Sequence, residues 1–236
     1  LVKPLRRIDL SASKKPHFLV ANSHYVAREI KKYYGRESEV LWPNVDVKSV
    51  QEFAKKVDKK TAKEIRENLF HGEEFFMIAG RQVNWKRMDV AINFAKETGK
   101  NLLVIGDGAE HENLLSLAEK FENIKFLPRY NGAADLAKYL VATKAFLFTS
   151  LEPFGITPVE ALAAGTPVIT FNESRSRDYM NEKNGEFFAK QTPKSLANAV
   201  EKFEKKKFQE KDISKSAEEF SSANFAKNLE KIINEK

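Results

Sequence analysis

The 236-residue chain contains no cysteine, and this absence excludes disulfide scaffolds, zinc ribbons, iron–sulfur clusters and thiol catalysis together. No segment approaches the ~20 consecutive apolar residues that a membrane-spanning helix needs. The first ten residues carry charges and a proline where a signal peptide would have an apolar stretch. Apolar residues make up 42% of the chain and charged residues 31%, which also excludes collagen-like and wholly disordered chains. We therefore expect a globular, cytoplasmic protein.

Several common catalytic and cofactor motifs are also missing. The chain has no Walker A sequence, no Gly-x-Ser-x-Gly and no Asp-x-Asp for a metal bound to a sugar nucleotide, and its four histidines lack ligand spacing. Gly106-Asp107-Gly108 follows a predicted strand, but His111 occupies the third glycine position of a dinucleotide fingerprint. We therefore expect no metal and no cofactor, although this tight turn can still approach a phosphate.

The net charge is +7, and its excess lies near the N-terminal end, where residues 1–46 hold nine Lys/Arg against five Asp/Glu, giving +4. A basic surface attracts nucleic acid, anionic lipid or a phosphorylated ligand, and a Lys-rich solvated surface has the same composition. No nucleic-acid recognition motif accompanies the charge, so we expect no nucleic-acid partner.

The middle of the chain alternates short apolar runs with amphipathic stretches, the pattern of βαβ units around a parallel sheet. Strands are predicted in five runs: Phe75–Ala79, Asn101–Ile105, Ile124–Leu127, Ala145–Thr149 and Pro167–Phe171. Helices are predicted between them, among others at Arg87–Thr98, Ala109–Phe121 and Thr157–Ala164. The expected fold class is α/β, with a Rossmann-like parallel sheet flanked by helices.

Shorter elements are predicted on either side of this sheet. They are a strand at Phe18–Ala21, a helix from the cap Asn22-Ser23 through Tyr34, a strand at Val40–Trp42, a helical connector over Val47–Leu69, a helix starting at Thr192-Pro193 and a final helix over Phe225–Ile233. The upstream pair of strands is too small to bury a sheet of its own.

The segment from Glu152 to Ile169 places two glutamates at the carboxyl edge of the predicted sheet, where open α/β folds bind ligands. Two interpretations of Glu160 stay open at this point. Thr157-Pro158-Val159-Glu160 is a capping box, in which Glu160 would bond only the amide of the N-cap residue. Alternatively, both carboxylates face a ligand.

A known family shows the same segments. They are Glu152–Ile169, Ala79-Gly80-Arg81 followed by Lys86-Arg87-Met88-Asp89, Val104–Gly108, Ala21-Asn22-Ser23, Tyr33-Tyr34-Gly35 and Trp42–Asp46. The chain resembles the C-terminal donor domain of the retaining GT-B glycosyltransferases called group 1 or glycosyltransferase family 4. The resemblance implies that residues 1–46 are the tail of an acceptor domain and the hinge, that 47–215 form the donor domain, and that 216–236 contain a crossover helix. It also implies that an N-terminal region of ~100–150 residues is absent.

Transfer of a sugar from a nucleotide leaves a diphosphate, so without a metal the site must supply cations to stabilise it. Arg81 can offer a bidentate fork and Lys86 a point charge near the start of a helix, and the resemblance assigns the diphosphate to these two positions. It implies that Glu160 bonds the ribose hydroxyls and that Glu152 approaches the donor sugar. Glu152, Arg81 and Lys86 are the expected catalytic residues.

The remaining positions expected to bind the donor come from the same resemblance and from backbone geometry. Glycines permit close approach of the ligand, backbone amides at a helix start can hold the sugar and diphosphate, and the loop after the strand Ile124–Leu127 borders the nucleobase in the family. These positions are Gly80, Gly106, Arg129, Tyr130, Phe154, Gly155, Ile156 and Thr157.

We therefore predict a retaining, metal-independent glycosyltransferase of polysaccharide or glycolipid biosynthesis, with this chain supplying the donor site. Its partners would be a nucleotide-diphosphate sugar and a saccharide or lipid-linked acceptor. The basic residues 1–46 predict contact of the acceptor domain with the inner face of a membrane. A non-catalytic sugar-nucleotide-binding module and a glycoside hydrolase that uses Glu152 and Glu160 are the alternatives.

Overall fold

The computed structural model of the chain describes residues 2–235 and shows helices alternating with strands. The strands are Val20–Ala21 (β1), Glu39–Val40 (β2), Phe75–Ala79 (β3), Asn101–Ile105 (β4), Ile124–Leu127 (β5), Ala145–Phe148 (β6), Val168–Phe171 (β7) and Gly185–Phe188 (β8). The α-helices are Val2–Ala12 (α1), His24–Tyr34 (α2), Val47–Lys56 (α3), Lys59–Phe70 (α4), Met88–Thr98 (α5), His111–Ala118 (α6), Gly132–Ala142 (α7), Ile156–Ala163 (α8), Pro193–Glu204 (α9), Glu210–Ser216 (α10) and Ser222–Asn234 (α11). Short 3₁₀ turns occur at Asn84–Lys86, Arg175–Asp178 and Glu218–Phe220.

Strands β3 to β8 form one six-stranded sheet in the order β5-β4-β3-β6-β7-β8, and every neighbouring pair is parallel. The chain builds outward from β3 to β5 and then returns to the other side of β3 with β6. The switch point therefore lies between β3 and β6, and ligands of open α/β sheets bind at the carboxyl ends of the strands beside such a point. The expected α/β class with a parallel, Rossmann-like sheet flanked by helices is confirmed.

Both faces of this sheet are buried, which explains why its strands read as continuous apolar runs. Within β3, Phe75, Met77 and Ala79 pack into one core, which also contains residues of α3, α4, α7 and α8. Phe76 and Ile78 point into the opposite core, together with residues of α5, α6 and α9. The alternation follows from the two-residue period of a strand.

The predicted strands Phe75–Ala79, Asn101–Ile105 and Ile124–Leu127 match β3, β4 and β5 residue for residue. The other predicted strands occur with ends shifted by one or two residues. Two predicted caps are also confirmed, because the hydroxyl of Ser23 accepts from the Val26 amide and that of Thr192 accepts from the Ser195 amide.

The predicted capping box at the start of α8 is wrong. The N-cap residue is Gly155, with φ 94°, and α8 begins at Ile156, so Thr157 lies inside the first turn and no side chain caps the helix. Glu160 is consequently the fifth residue of the helix and not its third. The capping interpretation of Glu160 therefore fails.

Three elements have no counterpart in the sequence-based prediction: the helices α1 and α10 and the strand β8. The connector over Val47–Leu69 was predicted as one helix but is two, because Val57 leaves the helical conformation and Asp58 caps α4 through the Thr61 amide.

The small sheet of β1 and β2 meets the C-terminal part of the chain. The Val45 amide donates to the Phe220 carbonyl at 2.9 Å, and the Ser222 hydroxyl donates to Asn44 Oδ1 at 2.9 Å. The division into domains at residues 46 and 215 stays a prediction. Among residues 2–235, no helix is long and apolar enough to cross a membrane.

Candidate functional site

A cleft of about 850 Å³ lies at the carboxyl ends of β3, β4, β5 and β6. Every position predicted to contact the donor lines this cleft: Gly80, Arg81, Lys86, Gly106, Arg129, Tyr130, Glu152, Phe154, Gly155, Ile156, Thr157 and Glu160. These residues come from sequence positions 80 to 160, and the parallel sheet brings them together because all its strands end at the same edge.

The cleft also contains residues that the sequence did not single out as ligands. Asp107, Gly108 and Pro153 neighbour predicted positions, whereas Asn22 and Pro43 belong to the small sheet unit across the cleft. Asn22 and Pro43 both lie in segments that carry the family resemblance, and this resemblance is the sequence signal that could have identified them as cleft residues.

Arg81 follows the end of β3, and its side chain is exposed and has no hydrogen-bonding or ion-pair partner among the described residues. Lys86 is the last residue of the 3₁₀ turn Asn84–Lys86, two residues before α5 begins at Met88. Its backbone carbonyl accepts from the Thr149 hydroxyl at 2.8 Å. This bond fixes the turn against the end of β6.

The Lys86 ammonium forms an ion pair with Glu152 Oε1, and both side chains are about one-fifth exposed, at 20% and 19%. Ser150 donates to the same carboxylate oxygen at 2.7 Å. Glu152 therefore has a cation and a hydroxyl donor on one oxygen. The pair joins the end of β3 to the end of β6 across the switch point.

Glycines allow the loops around the cleft to touch. A Cβ added at Gly106 would collide with the carbonyl oxygen of Gly80, and one added at Gly155 would come within 2.8 Å of the Phe148 ring. Gly106 has φ 134° and Gly155 has φ 94°, values that L side chains rarely adopt. Both turns therefore need glycine for conformation and for space.

The loop before α8 is held in place by the side chain of Tyr179. The Tyr179 hydroxyl lies 3.0 Å from the carbonyl oxygens of Phe154 and Gly155 and can donate to either of them. The Phe154 side chain is buried, at 3% exposure, against Trp42 and Phe220, so it is mainly a core residue. The first amides of α8 remain uncapped by any side chain and are suited to an anionic or hydroxyl-bearing ligand.

Glu160 is the most perturbed carboxyl group of the cleft. Burial raises its pKa to about 7, and the negative charge of Asp46 adds a smaller contribution. Its Oε2 atom is buried and has no hydrogen-bond partner within residues 2–235. Burial raises the pKa of neighbouring Tyr130 as well, with the charge of Glu160 as the second cause. A buried carboxylate atom without a protein partner, in a residue that lines a cleft, is typical of a group that meets its partner on a ligand.

A doubly wound parallel sheet with cations and an uncapped helix at its switch point is the architecture of nucleotide-binding α/β proteins. The particular family follows from sequence comparison: residues 58–220, more than half of the chain, match the family described as "Glycosyl transferases group 1". The chain belongs to this family.

Individual relatives share shorter stretches. An uncharacterized glycosyltransferase of Haemophilus influenzae is 33% identical over 76 residues, which cover 30% of this chain and 21% of the relative. A glycogen synthase of Mycobacterium tuberculosis is 35% identical over 78 residues, covering 31% and 19%. The matched stretches thus represent about a fifth of these curated relatives.

Solved structures match nearly the whole chain in fold. The HepE protein of Anabaena in complex with UDP has a TM-score of 0.82 at 18% identity and covers 98% of this chain and 67% of its own. Sucrose-phosphate synthase from Thermosynechococcus elongatus has a TM-score of 0.80 at 16% identity, covering 99% and 61%. The expected GT-B type of sheet is thereby confirmed, and the chain spans about two thirds of these solved chains.

Proposed function

We propose that this chain forms the donor-binding part of a glycosyltransferase of family 4, which transfers a sugar from a nucleotide-diphosphate sugar to an acceptor with retention of configuration. One observation carries the proposal: all twelve positions assigned to the donor from sequence line one cleft at the switch point of the sheet. The fold of the UDP complex of HepE supports a nucleotide as the ligand.

The proposed chemistry relies on cations that the chain itself supplies. As the bond to the sugar breaks, charge grows on the diphosphate, and Arg81 and Lys86 stabilise it without a requirement for a metal. Attack occurs on the face that the diphosphate leaves, and the departing phosphate oxygen accepts the proton of the acceptor hydroxyl. No separate general base is then needed. Glu152 faces the donor sugar, and Glu160 accepts hydrogen bonds from the ribose hydroxyls.

The acceptor, a saccharide or a lipid-linked sugar, would bind on the side of the cleft where Asn22 and Pro43 lie. The basic charge of residues 1–46 favours a phosphorylated or membrane-bound acceptor. The rival glycosidase mechanism would use Glu152 and Glu160 as an acid and a nucleophile or base. The match of residues 58–220 to the family of group 1 glycosyl transferases argues against it.

The first test measures nucleotide binding and sugar transfer with the same 236-residue chain. We expect calorimetry to detect binding of at least one of UDP, GDP and ADP, and we expect no transfer from the matching nucleotide sugars to saccharide or lipid-linked acceptors. The chain spans about two thirds of the solved chains that it matches, and we propose that orientation of the acceptor, which can contribute ~7–11 kcal/mol, depends on parts of the fold that this chain does not cover.

Three outcomes would contradict parts of this proposal. Absence of binding to all three nucleotides would remove the donor role. Rapid transfer by this chain alone would show that its role is not limited to the donor site. Loss of nucleotide binding in EDTA, with recovery on adding Mg²⁺ or Mn²⁺, would show that Arg81 and Lys86 do not suffice for the diphosphate.

Glu152→Gln should strengthen binding of the nucleoside diphosphate by ~3- to 10-fold, although Glu152 belongs to the proposed catalytic group. The substitution releases Lys86 from its ion pair and removes a negative charge beside the diphosphate, an effect of ~1 kcal/mol for a partly exposed pair. Calorimetry at two salt concentrations checks this, with Glu97→Gln on the exposed side of α5 as the control. Weaker binding by Glu152→Gln would mean that the carboxylate helps to bind the diphosphate.

A further inference from the structure

The side chain of Gln82 is fully buried directly behind the cleft, although it does not line it. Its amide Nε2 donates to the Gly106 carbonyl at 2.9 Å, and its Oε1 lies 2.7 Å from Nδ1 of His111. The backbone of Gln82 makes two further bonds, from its amide to the Asp107 carbonyl at 2.8 Å and to its carbonyl from the Glu110 amide at 2.9 Å. Gln82, in the loop after β3, therefore forms hydrogen bonds with four residues between β4 and the first turn of α6.

These contacts fix the orientation of both side chains. The Gly106 carbonyl can only accept a hydrogen bond, so the amide nitrogen of Gln82 must face it and Oε1 must face His111. Nδ1 of His111 must then carry a proton, because Oε1 is an acceptor. The ring nitrogen and the glutamine oxygen form a link between the two loops.

The two loops that these bonds join both line the cleft. Arg81 precedes Gln82 in one loop, and Gly106, Asp107 and Gly108 form the other. A Cβ at Gly108 would collide with the Gln82 carbonyl oxygen. The two loops are therefore in close contact, and the side-chain bonds of Gln82, together with its two backbone bonds, hold Arg81 relative to the Gly106–Gly108 turn.

We propose that Gln82 and His111 are positioning residues, which hold Arg81 and the Gly106–Gly108 turn at the spacing that the diphosphate of the donor requires. This inference rests on the proposed function, because it takes a nucleoside diphosphate as the ligand. Neither residue touches the ligand. Removal of the side-chain link leaves only backbone bonds between the two loops, so contacts to the diphosphate weaken. Contacts to the nucleoside, proposed at Arg129, Tyr130 and Glu160, are made by residues outside this link and do not weaken.

The test compares two variants of His111 that differ in one hydrogen-bond donor. Asn places its side-chain N–H close to the position of Nδ1, whereas Leu fills similar space without a donor. We expect His111→Leu to bind the nucleoside diphosphate ~5- to 10-fold more weakly than the wild-type chain, as loss of one buried hydrogen bond implies. His111→Asn should stay within ~2-fold of wild type, and both variants should bind the matching nucleoside, titrated by NMR, as wild type does.

Three results would overturn this role. They are unchanged diphosphate binding by His111→Leu, equal losses in the Leu and Asn variants, and a parallel loss of nucleoside binding. If Arg81→Ala loses diphosphate binding while His111→Leu keeps it, the positioning role is wrong and the proposed function stands. If the wild-type chain binds no nucleoside diphosphate, both are wrong.

A measurement on the wild-type chain avoids any folding defect of the variants. The ¹⁵N chemical shifts of the His111 ring should show a proton on Nδ1. An Nδ1 atom without a proton would contradict the link.

Discussion

Glu160→Gln should stabilise the unliganded chain and at the same time weaken its binding of nucleotides. Burial holds the pKa of Glu160 near 7 in the folded chain, above the value of 4.5 that it has when exposed. The carboxyl group therefore favours folding in its protonated form. This contribution is fully present below pH 4.5 and is lost as the pH rises through 7. A shift of this size corresponds to roughly 3 kcal/mol above pH 7.

Glutamine mimics the protonated carboxyl and never ionises. We therefore expect the free energy of unfolding of Glu160→Gln to equal that of wild type near pH 4.5 and to exceed it by ~1–3 kcal/mol at pH 8. Denaturant titrations across this pH range, with Glu97→Gln as the matched surface control, measure the difference. A constant difference between the two curves at all pH values would contradict the raised pKa.

Nucleotide binding should change in the opposite direction. Under the proposed function, the ribose hydroxyls donate to the carboxylate. Hydrogen bonds of this charge-assisted kind contribute ~1.5–3 kcal/mol, so Glu160→Gln should lose ~10- to 100-fold in affinity. The wild-type chain should lose a similar factor for the 2′,3′-dideoxy nucleotide, whereas the variant should hardly distinguish the two. Equal affinity of the wild-type chain for both sugars would remove the ribose role.

The same bond links affinity to pH. Hydroxyl donors favour the charged carboxylate, so nucleotide binding should lower the pKa of Glu160 and release protons near pH 7. Affinity should therefore rise between pH 6 and 8 in the wild-type chain. Glu160→Gln supplies the comparison, since it retains the titration of the nucleotide phosphates but lacks that of the carboxyl group.

A stabilising substitution that impairs binding is expected where a site holds a buried charge for its ligand. The unpartnered Oε2 of Glu160 and the charge of Asp46 nearby both disfavour the unliganded state. Under the proposed function, the ribose hydroxyls of the nucleotide supply the donors that Glu160 lacks. The cost in stability is thus a consequence of preorganisation.

Most strands of the sheet could be predicted from the sequence, because the signal for each of them lies within its own residues. Phe75–Ala79 is an apolar run that ends at Gly80, and both its length and its ends match β3. The strand β8, by contrast, contains Glu186, whose charge is neutralised by Lys206, twenty residues further along the chain. Nothing within the strand itself signals this pairing, so its alternation was missed.

The site shows the same distinction. Resemblance and strand ends indicated which residues gather at the cleft, but the environment of each group depends on contacts distant in sequence. Thr157-x-x-Glu160 has the letters of a capping box, yet the turn at Gly155 starts the helix earlier and leaves Glu160 facing the cleft. Gln82 looked like one polar residue in a loop, and only the folded chain shows its bonds to Gly106 and His111.

The two cations assigned to the diphosphate should respond differently to removal, although each should matter for binding. Arg81→Ala and Lys86→Ala should each weaken binding of the nucleoside diphosphate by ~10- to 100-fold, the range for hydrogen bonds to charged groups. Arg81 has no partner in the described unliganded chain, so its loss should leave the unfolding temperature unchanged. Exposed Arg7→Ala and Lys63→Ala are matched controls outside the cleft, and unchanged affinity in both cleft variants would refute the assignment.

Lys86→Ala should cause the larger loss in affinity, because it also leaves Glu152 as an unneutralised negative charge beside the diphosphate. Adding Glu152→Gln to Lys86→Ala should therefore recover part of the affinity, whereas adding it to Arg81→Ala should give only the gain seen in the otherwise wild-type chain. The effects of substitutions at residues in one network are not additive, and a double-mutant cycle measures the coupling between them directly. A cycle with no coupling between Lys86 and Glu152 would mean that their ion pair does not persist in solution. The diphosphate would then meet a lysine that is already free.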